Sequence, residues 1–266
     1  MAPFKAVAVD MDGTFLNDQK QYDQELFNYL LKKMQAQGIK FIVASGNQYE
    51  RLRLDFEKSY HKLAFVAENG AYLVDRGQDI LTQGVEHNAI KNLVAFKKKH
   101  PELHLIVCGL KATYIPKDES KEFIKEMLYY CPKHQLIDTL DDLPLDTYLK
   151  LSAGMKAEDT KPLLADLQAK FGHEIKITSS GYGSIDFMHK DVNKAQGLDL
   201  MLKRWNLGHK DLIAFGDGGN DIEMLRHAKI SYAMENGAPE VKAIANHIAP
   251  TNNDSGVLRV LKDYLD

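Results

Sequence analysis

Cysteine is nearly missing from this chain: Cys108 and Cys131 are the only two among 266 residues. They form no Cys-x-x-Cys pair, and no set of cysteines and histidines suggests zinc, which speaks against a disulfide scaffold and a zinc module. Two buried, reduced thiols are the expectation. Long apolar runs are missing too. Lys5 and Asp10 already interrupt the N-terminal segment, so neither a signal peptide nor a membrane span is predicted. Charge of one sign is scarce, with a net −3 and basic residues spread along the sequence. One basic cluster, Lys97-Lys98-Lys99-His100, ends an apparent helix, where cations complement the dipole, and it makes no nucleic-acid footprint. What remains is a cytoplasmic globular protein without nucleic-acid or membrane partners. Its hydrophobic share of 44% and its length suit one large domain or two. No feature selects an oligomeric state.

What is present starts with Val7-Ala8-Val9-Asp10-Met11-Asp12-Gly13-Thr14, an apolar strand that ends in acid. If the extended backbone continues, Asp10 and Asp12 share one side of it, because strand side chains alternate. Gly13 permits a turn, and Thr14 adds a hydroxyl. Two neighbouring carboxylates repel and require a cation, a basic partner or a retained proton. A hard divalent metal with oxygen ligands meets that need.

Asp23 then suits an N-cap for a helix with Leu26, Phe27, Leu30, Leu31 and Met34 on one stripe, and Gly38 stands where a C-cap is wanted. A strand over 39–44 ends in Ser45-Gly46-Asn47. After a helix bearing Tyr49, Leu52 and Phe56, a strand over 63–67 ends in Glu68-Asn69-Gly70. Alternating strands and helices predict a parallel sheet whose ligands bind beyond the carboxyl ends of the strands. The rhythm changes near Leu81. Strand pairs and helices over 82–188 predict an antiparallel sheet with helices on one face, an insert in a core made of 1–81 and 189–266. The first rhythm resumes with Asn193 capping a helix that carries Leu198, Met201, Leu202 and Trp205. The apolar strand over 212–215 then runs into Gly216-Asp217-Gly218-Gly219-Asn220-Asp221.

Four strand or helix ends thus carry related chemistry. Asp10 and Asp12 supply carboxylates. Ser45-Gly46 supplies a hydroxyl and a bare amide, opening a helix whose N-terminus favours an anion. Lys194 occupies a first turn, where a cation opposes the macrodipole, so an acidic or phosphorylated partner is expected. The glycine-acid loop adds Asp217 and Asp221 with room for close backbone approach. Each part alone has an ordinary structural reading as a turn or a capped surface helix. Their recurrence at successive element ends does not.

These segments resemble the four motifs of the haloacid dehalogenase superfamily of aspartate-nucleophile phosphatases. Asp10-Met11-Asp12-Gly13-Thr14 is similar to the first motif, Ser45 to the second, Lys194 to the third, and Gly216-Asp217 with Asn220-Asp221 to the fourth. The insert between motifs two and three resembles that of the Cof-type subgroup. Val43-Ala44-Ser45-Gly46-Asn47-Gln48-Tyr49, Ala67-Glu68-Asn69-Gly70-Ala71 and Thr178-Ser179-Ser180-Gly181 look most like the bacterial sugar phosphatases. Asn47 departs from the arginine that many subgroup members carry.

The resemblance implies an α/β fold, a Rossmann-like three-layer core with a parallel sheet plus an inserted α+β cap. It implies a Mg²⁺-dependent phosphatase of small phosphorylated metabolites, foremost sugar phosphates, working through an aspartyl-phosphate. Asp10 would be the nucleophile and Asp12 the general acid and base. Mg²⁺ would be held by Asp10, the Asp12 carbonyl and Asp217. Ser45, Gly46, Lys194 and Asn220 would hold the phosphoryl group, and Asp221 would orient Lys194 or metal-bound water. The insert would act as a lid, with Asn47, Asn69, Gly181, Tyr182 and the turn at 109–111 as candidates beside the substrate. Rival readings are a sugar phosphomutase of the same superfamily and a phospho-accepting switch. The insert and an acid two residues after the acceptor aspartate speak against the switch.

Overall fold

The structure, a computed structural model, describes residues 2–155, 160–181 and 183–266. The chain begins with β1 (Ala6–Val9), α1 (Gln24–Ala36), β2 (Lys40–Ala44), α2 (Tyr49–Asp55), β3 (Ala64–Ala67), β4 (Tyr72–Asp75) and β5 (Gln78–Thr82). A second set follows: α3 (His87–Lys97), β6 (His104–Gly109), β7 (Thr113–Pro116), α4 (Lys121–Tyr130), β8 (His134–Ile137), β9 (Tyr148–Gly154), α5 (Thr160–Phe171), β10 (Ile175–Gly181) and β11 (Ser184–His189). The last stretch is α6 (Lys194–Arg204), β12 (Leu212–Gly216), α7 (Ile222–His227), β13 (Ile230–Met234), α8 (Pro239–Lys242), β14 (His247–Ala249) and α9 (Gly256–Leu265).

Two sheets result. The first runs β14-β13-β12-β1-β2-β3-β4-β5, parallel from β14 through β3. Its central strands are buried on both faces, as a sheet covered on both sides requires. Val7 and Val9 pack with α1 and α9, while the smaller Ala6 and Ala8 pack with α6, α7 and α8. These are the three layers. Asp23 caps α1 by accepting from the Leu26 amide at 2.9 Å, and Asn193 caps α6 from Gln196 at 2.9 Å. The antiparallel strands β4 and β5, which the sequence reading leaves unassigned, extend one edge. Their turn is Arg76-Gly77, both at left-handed φ of 51° and 81°, the conformation a tight hairpin requires.

The second sheet runs β10-β11-β9-β6-β7-β8. It departs from the expected insert in two ways. Strands β7 and β8 pair in parallel, and the helices do not share a face. Helices α3 and α5 cover Leu105, Val107, Leu151 and Phe187, whereas α4 lays Phe123 and Met127 over Ile106, Cys108 and Ile115 on the other face. Cys108 and Cys131 are buried free thiols. Among the described residues, no helix is long and apolar enough to cross a membrane.

Candidate active site

Strand β1 stops at Val9, and the chain turns at once. Asp10 still donates its amide to Phe215 of β12, but its carbonyl already accepts from Phe15, and the Met11 carbonyl accepts from Leu16. The extended backbone therefore does not run on through Asp12, and strand alternation is not what relates the two acids. A turn does. Gly13 makes that turn possible: its φ is +79°, and a Cβ there would lie 2.5 Å from Asp217 Oδ2. The turn delivers Asp12 to Asn47 Nδ2 at 2.6 Å and Lys20 Nζ at 2.5 Å. Thr14 Oγ1 donates to Asp217 Oδ1 at 2.6 Å.

Lys194 Nζ lies between two carboxylates, 2.6 Å from Asp10 Oδ1 and 2.7 Å from Asp221 Oδ1. The residue is fully buried at the first position of α6, so the macrodipole opposes its charge and the two acids answer it. Burial works against the ammonium, yet Asp10 and Asp221 outweigh it and hold Lys194 above its ordinary value. The second oxygen of Asp221 accepts from the amides of Asp217 and Gly218 at 2.9 and 3.0 Å. Asp221 is thus engaged on both oxygens, orienting Lys194 and the loop that carries Asp217.

Carboxylate oxygens of Asp10, Asp217 and Asp221 all lie within 4.8 Å of one another. Burial first, and then neighbouring acids, push Asp217 up to about 7. Asp10 is raised well above its ordinary value, by burial first and offset by Lys194. Three acids share one lysine, so the cluster holds excess negative charge in a desolvated place. Asp10 and Asp217 each keep one carboxylate oxygen that accepts no hydrogen bond among the described residues. Hard oxygen donors with unanswered charge fit a divalent cation such as Mg²⁺.

Ser45 lies beyond the end of β2, buried, with its Oγ accepting from the Asn47 amide at 3.1 Å. One expectation fails here. Helix α2 starts only at Tyr49 and has no side-chain N-cap bond, so Ser45 and Gly46 are not in its first turn. The side chain of Gln48 reaches the insert instead, donating to Thr113 Oγ1 and the Lys133 carbonyl at 3.0 and 2.8 Å.

A cavity of about 160 Å³ opens over these groups, between the two sheets. Asp10, Asp12, Ser45, Gly46, Asn47 and Asp217 line it, as does Asn220. Asn69 does not: its Nδ2 donates to Asp186 Oδ2 at 2.8 Å and its Oδ1 accepts from Asn220 at 2.9 Å. Gly181 ends β10, and the turn at 109–111 lies outside the lining. Tyr182 lies outside the described residues. The insert's share comes from Tyr130, Cys131, Lys150, Ser152, Ser184 and Asp186 among others. The sequence reading named none of these six for the site. A signal was there: β9 and β11 alternate polar and apolar, as in Lys150-Leu151-Ser152-Ala153 and Ser184-Ile185-Asp186-Phe187, so one face of the insert is polar.

Comparison with known proteins agrees with this geometry. The profile of a family described as haloacid dehalogenase-like hydrolase matches residues 7–261. The chain is 39% identical over 263 residues to the 5-amino-6-(5-phospho-D-ribitylamino)uracil phosphatase of Escherichia coli, covering 98% of this chain and 96% of that one. A Bacillus subtilis phosphatase named for the same substrate is 25% identical over 278 residues, with 97% and 96% covered. The crystal structure of a Streptococcus mutans protein superposes with a TM-score of 0.94 at 38% identity, over 98% and 99% of the two chains. The chain belongs to the haloacid dehalogenase-like hydrolase family, and it is a phosphoric monoester hydrolase.

Proposed function

We propose that this phosphatase hydrolyses small phosphorylated metabolites, foremost phosphates of sugars and sugar alcohols, through an aspartyl-phosphate on Asp10 with Mg²⁺ as cofactor. The observation that carries the reading is Lys194 bridging Asp10 and Asp221, with Asp217 beside them. Asp10 attacks phosphorus in line, and the bond from phosphorus to the leaving oxygen breaks. Asp12 gives that oxygen a proton. In the second step Asp12 takes a proton from the water that attacks phosphorus, which frees Asp10 and inorganic phosphate. Ser45, Lys194 and the Gly46 amide hold phosphoryl oxygens, and Asn220 stands beside them. Asp10, the Asp12 carbonyl and Asp217 would hold Mg²⁺, which neutralises charge on the phosphoryl oxygens when bound.

Residues 82–188 act as the lid over a core of 1–81 and 189–266, excluding water from the reacting groups. The substrate class takes in 5-amino-6-(5-phospho-D-ribitylamino)uracil, named for two relatives. A panel of phosphorylated metabolites, with Mg²⁺ and no bisphosphate activator, tests both the class and the hydrolytic outcome. Release of inorganic phosphate separates a phosphatase from a phosphomutase. Asp10→Asn is expected to keep the fold by circular dichroism and to fall below about a hundredth of the wild-type rate. Greater residual turnover removes Asp10 from the nucleophile's role.

A further inference from the structure

The reaction described above uses no residue of the insert, yet the insert sends a buried ion pair into the site. Lys150 of β9 and Asp186 of β11 stand diagonally across adjacent antiparallel strands, since Lys150 pairs with Met188 and Ser152 with Asp186. Both side chains are buried, and both point at the loops of the core.

The contacts say what the pair does. Lys150 Nζ donates to the Gly46 carbonyl at 2.6 Å and to Asp186 Oδ1 at 3.2 Å. A third contact is ionic, to Glu68 Oε2 at 3.4 Å, which lacks hydrogen-bond geometry. Of the three donors of the ammonium, two are hydrogen-bonded to protein oxygens, and the Glu68 carboxylate stands beside it as a counter-charge. Asp186 is equally engaged, because its Oδ2 accepts from Asn69 at 2.8 Å. Both groups are thus held by atoms of the core and of each other.

The Gly46 carbonyl and the Asn47 amide belong to one peptide plane. Lys150 holds its oxygen end, and Ser45 Oγ accepts from its N–H end at 3.1 Å. With that acceptor position occupied, the Ser45 hydroxyl has its own proton left to donate to a phosphoryl oxygen. On the other side, Asp186 holds Asn69, whose amide oxygen holds Asn220 at 2.9 Å and whose backbone amide reaches the Ser45 carbonyl at 2.9 Å. The segment so held is strained: Glu68 and Asn69 sit at left-handed φ of 49° and 57°. Such backbone persists where surrounding contacts over-determine it.

We propose that Lys150 and Asp186 are positioning residues supplied by the insert, fixing the Ser45-Gly46 turn and the Asn69–Asn220 pair so that the phosphoryl site is complete only with the insert docked. This rests on the proposed phosphate-holding role of Ser45 and Gly46. Sequence spacing conceals it, because the two residues lie in a different sheet from every motif they serve.

The probe is inorganic phosphate, whose binding in the presence of Mg²⁺ is followed by calorimetry on the full chain, independently of turnover. Lys150→Met is expected to weaken phosphate binding about tenfold or more. It should lower kcat/KM by about a hundredfold, and by the same factor for p-nitrophenyl phosphate as for polyhydroxylated esters. Asp186→Asn, which keeps shape and removes charge, should act in the same direction and carries the comparison if Lys150→Met does not fold. Unchanged phosphate affinity in the folded variants overturns the proposal. So does a loss confined to polyhydroxylated esters, which would make the pair a reader of the leaving group. If wild type binds phosphate but hydrolyses no ester, the functional reading fails while the positioning test still gives its answer.

Discussion

At the scale of single residues, the site is governed by which buried charges have partners. Lys194 is answered twice and Asp221 on both oxygens, while Asp10 and Asp217 keep unanswered negative charge. Glu68 is the clearest case outside the reacting groups. Burial pushes its carboxyl up to about 7 from an ordinary 4.5, with Lys150 opposing and Asp186 adding to the rise. The sign follows from proton release. Between pH 4.5 and about 7 the unfolded chain loses this proton while the folded chain keeps it, so stability falls as pH rises through that window. Above it the full penalty stands, roughly 3 kcal/mol at about 1.4 kcal/mol per pH unit. Glu68→Gln is therefore expected to resist urea better than wild type at pH 8 and equally at pH 4. An equal difference at both pH values would locate the effect in packing instead of ionisation.

At the scale of elements, strand and helix ends decide where chemistry sits. Strand β1 had to stop at Val9 for Asp12 to reach Asn47 and Lys20, and Gly13 permits that stop by taking a left-handed φ of +79° against Asp217. Helix α2 begins too late to lend its dipole to Ser45. Asp23 accepts from the Leu26 amide in an exposed position far from the cavity. Asp23→Ala should cost about 1 kcal/mol in urea unfolding and leave kcat/KM unchanged. A change in rate would mean that α1 is coupled to the site.

At the scale of the whole molecule, two sheets meet over one cavity, joined by polar contacts and by an apolar patch in which Leu149 and Met188 of the insert enter the core's hydrophobic cluster. Gln48 bonds to Thr113 and Lys133, Lys176 pairs with Glu223 at 2.5 Å, and Lys150 reaches Gly46. A metal held by the acids that folding gathers should act on the whole fold by linkage. Mg²⁺ is expected to raise Tm of the wild type, and a chelator to lower it and abolish phosphate release. In Asp217→Asn the Mg²⁺-induced rise should vanish, while the metal-free Tm should exceed that of wild type because one buried charge is gone. A metal-dependent rise retained in that variant would place the cation elsewhere.

The sequence alone determined the layered core and the family to which its motifs belong. Strands read as apolar runs bounded by glycine and acid, helices as stripes with Asp23 and Asn193 at their caps, and Asp10, Lys194 and Asp217 as members of one motif set. These features are local: periodicity and capping act over a few residues, and a motif keeps its spacing. Tertiary structure alone decided that Asp12 is held by Lys20, that α4 covers the opposite face of the insert, that Lys150 reaches the Gly46 carbonyl and that Asp186 reaches Asn69. Each of those depends on packing between segments far apart in the chain, where long side chains meet partners that no nearby spacing foretells. A buried lysine in a strand looks like a surface residue until the partner sheet is docked against it.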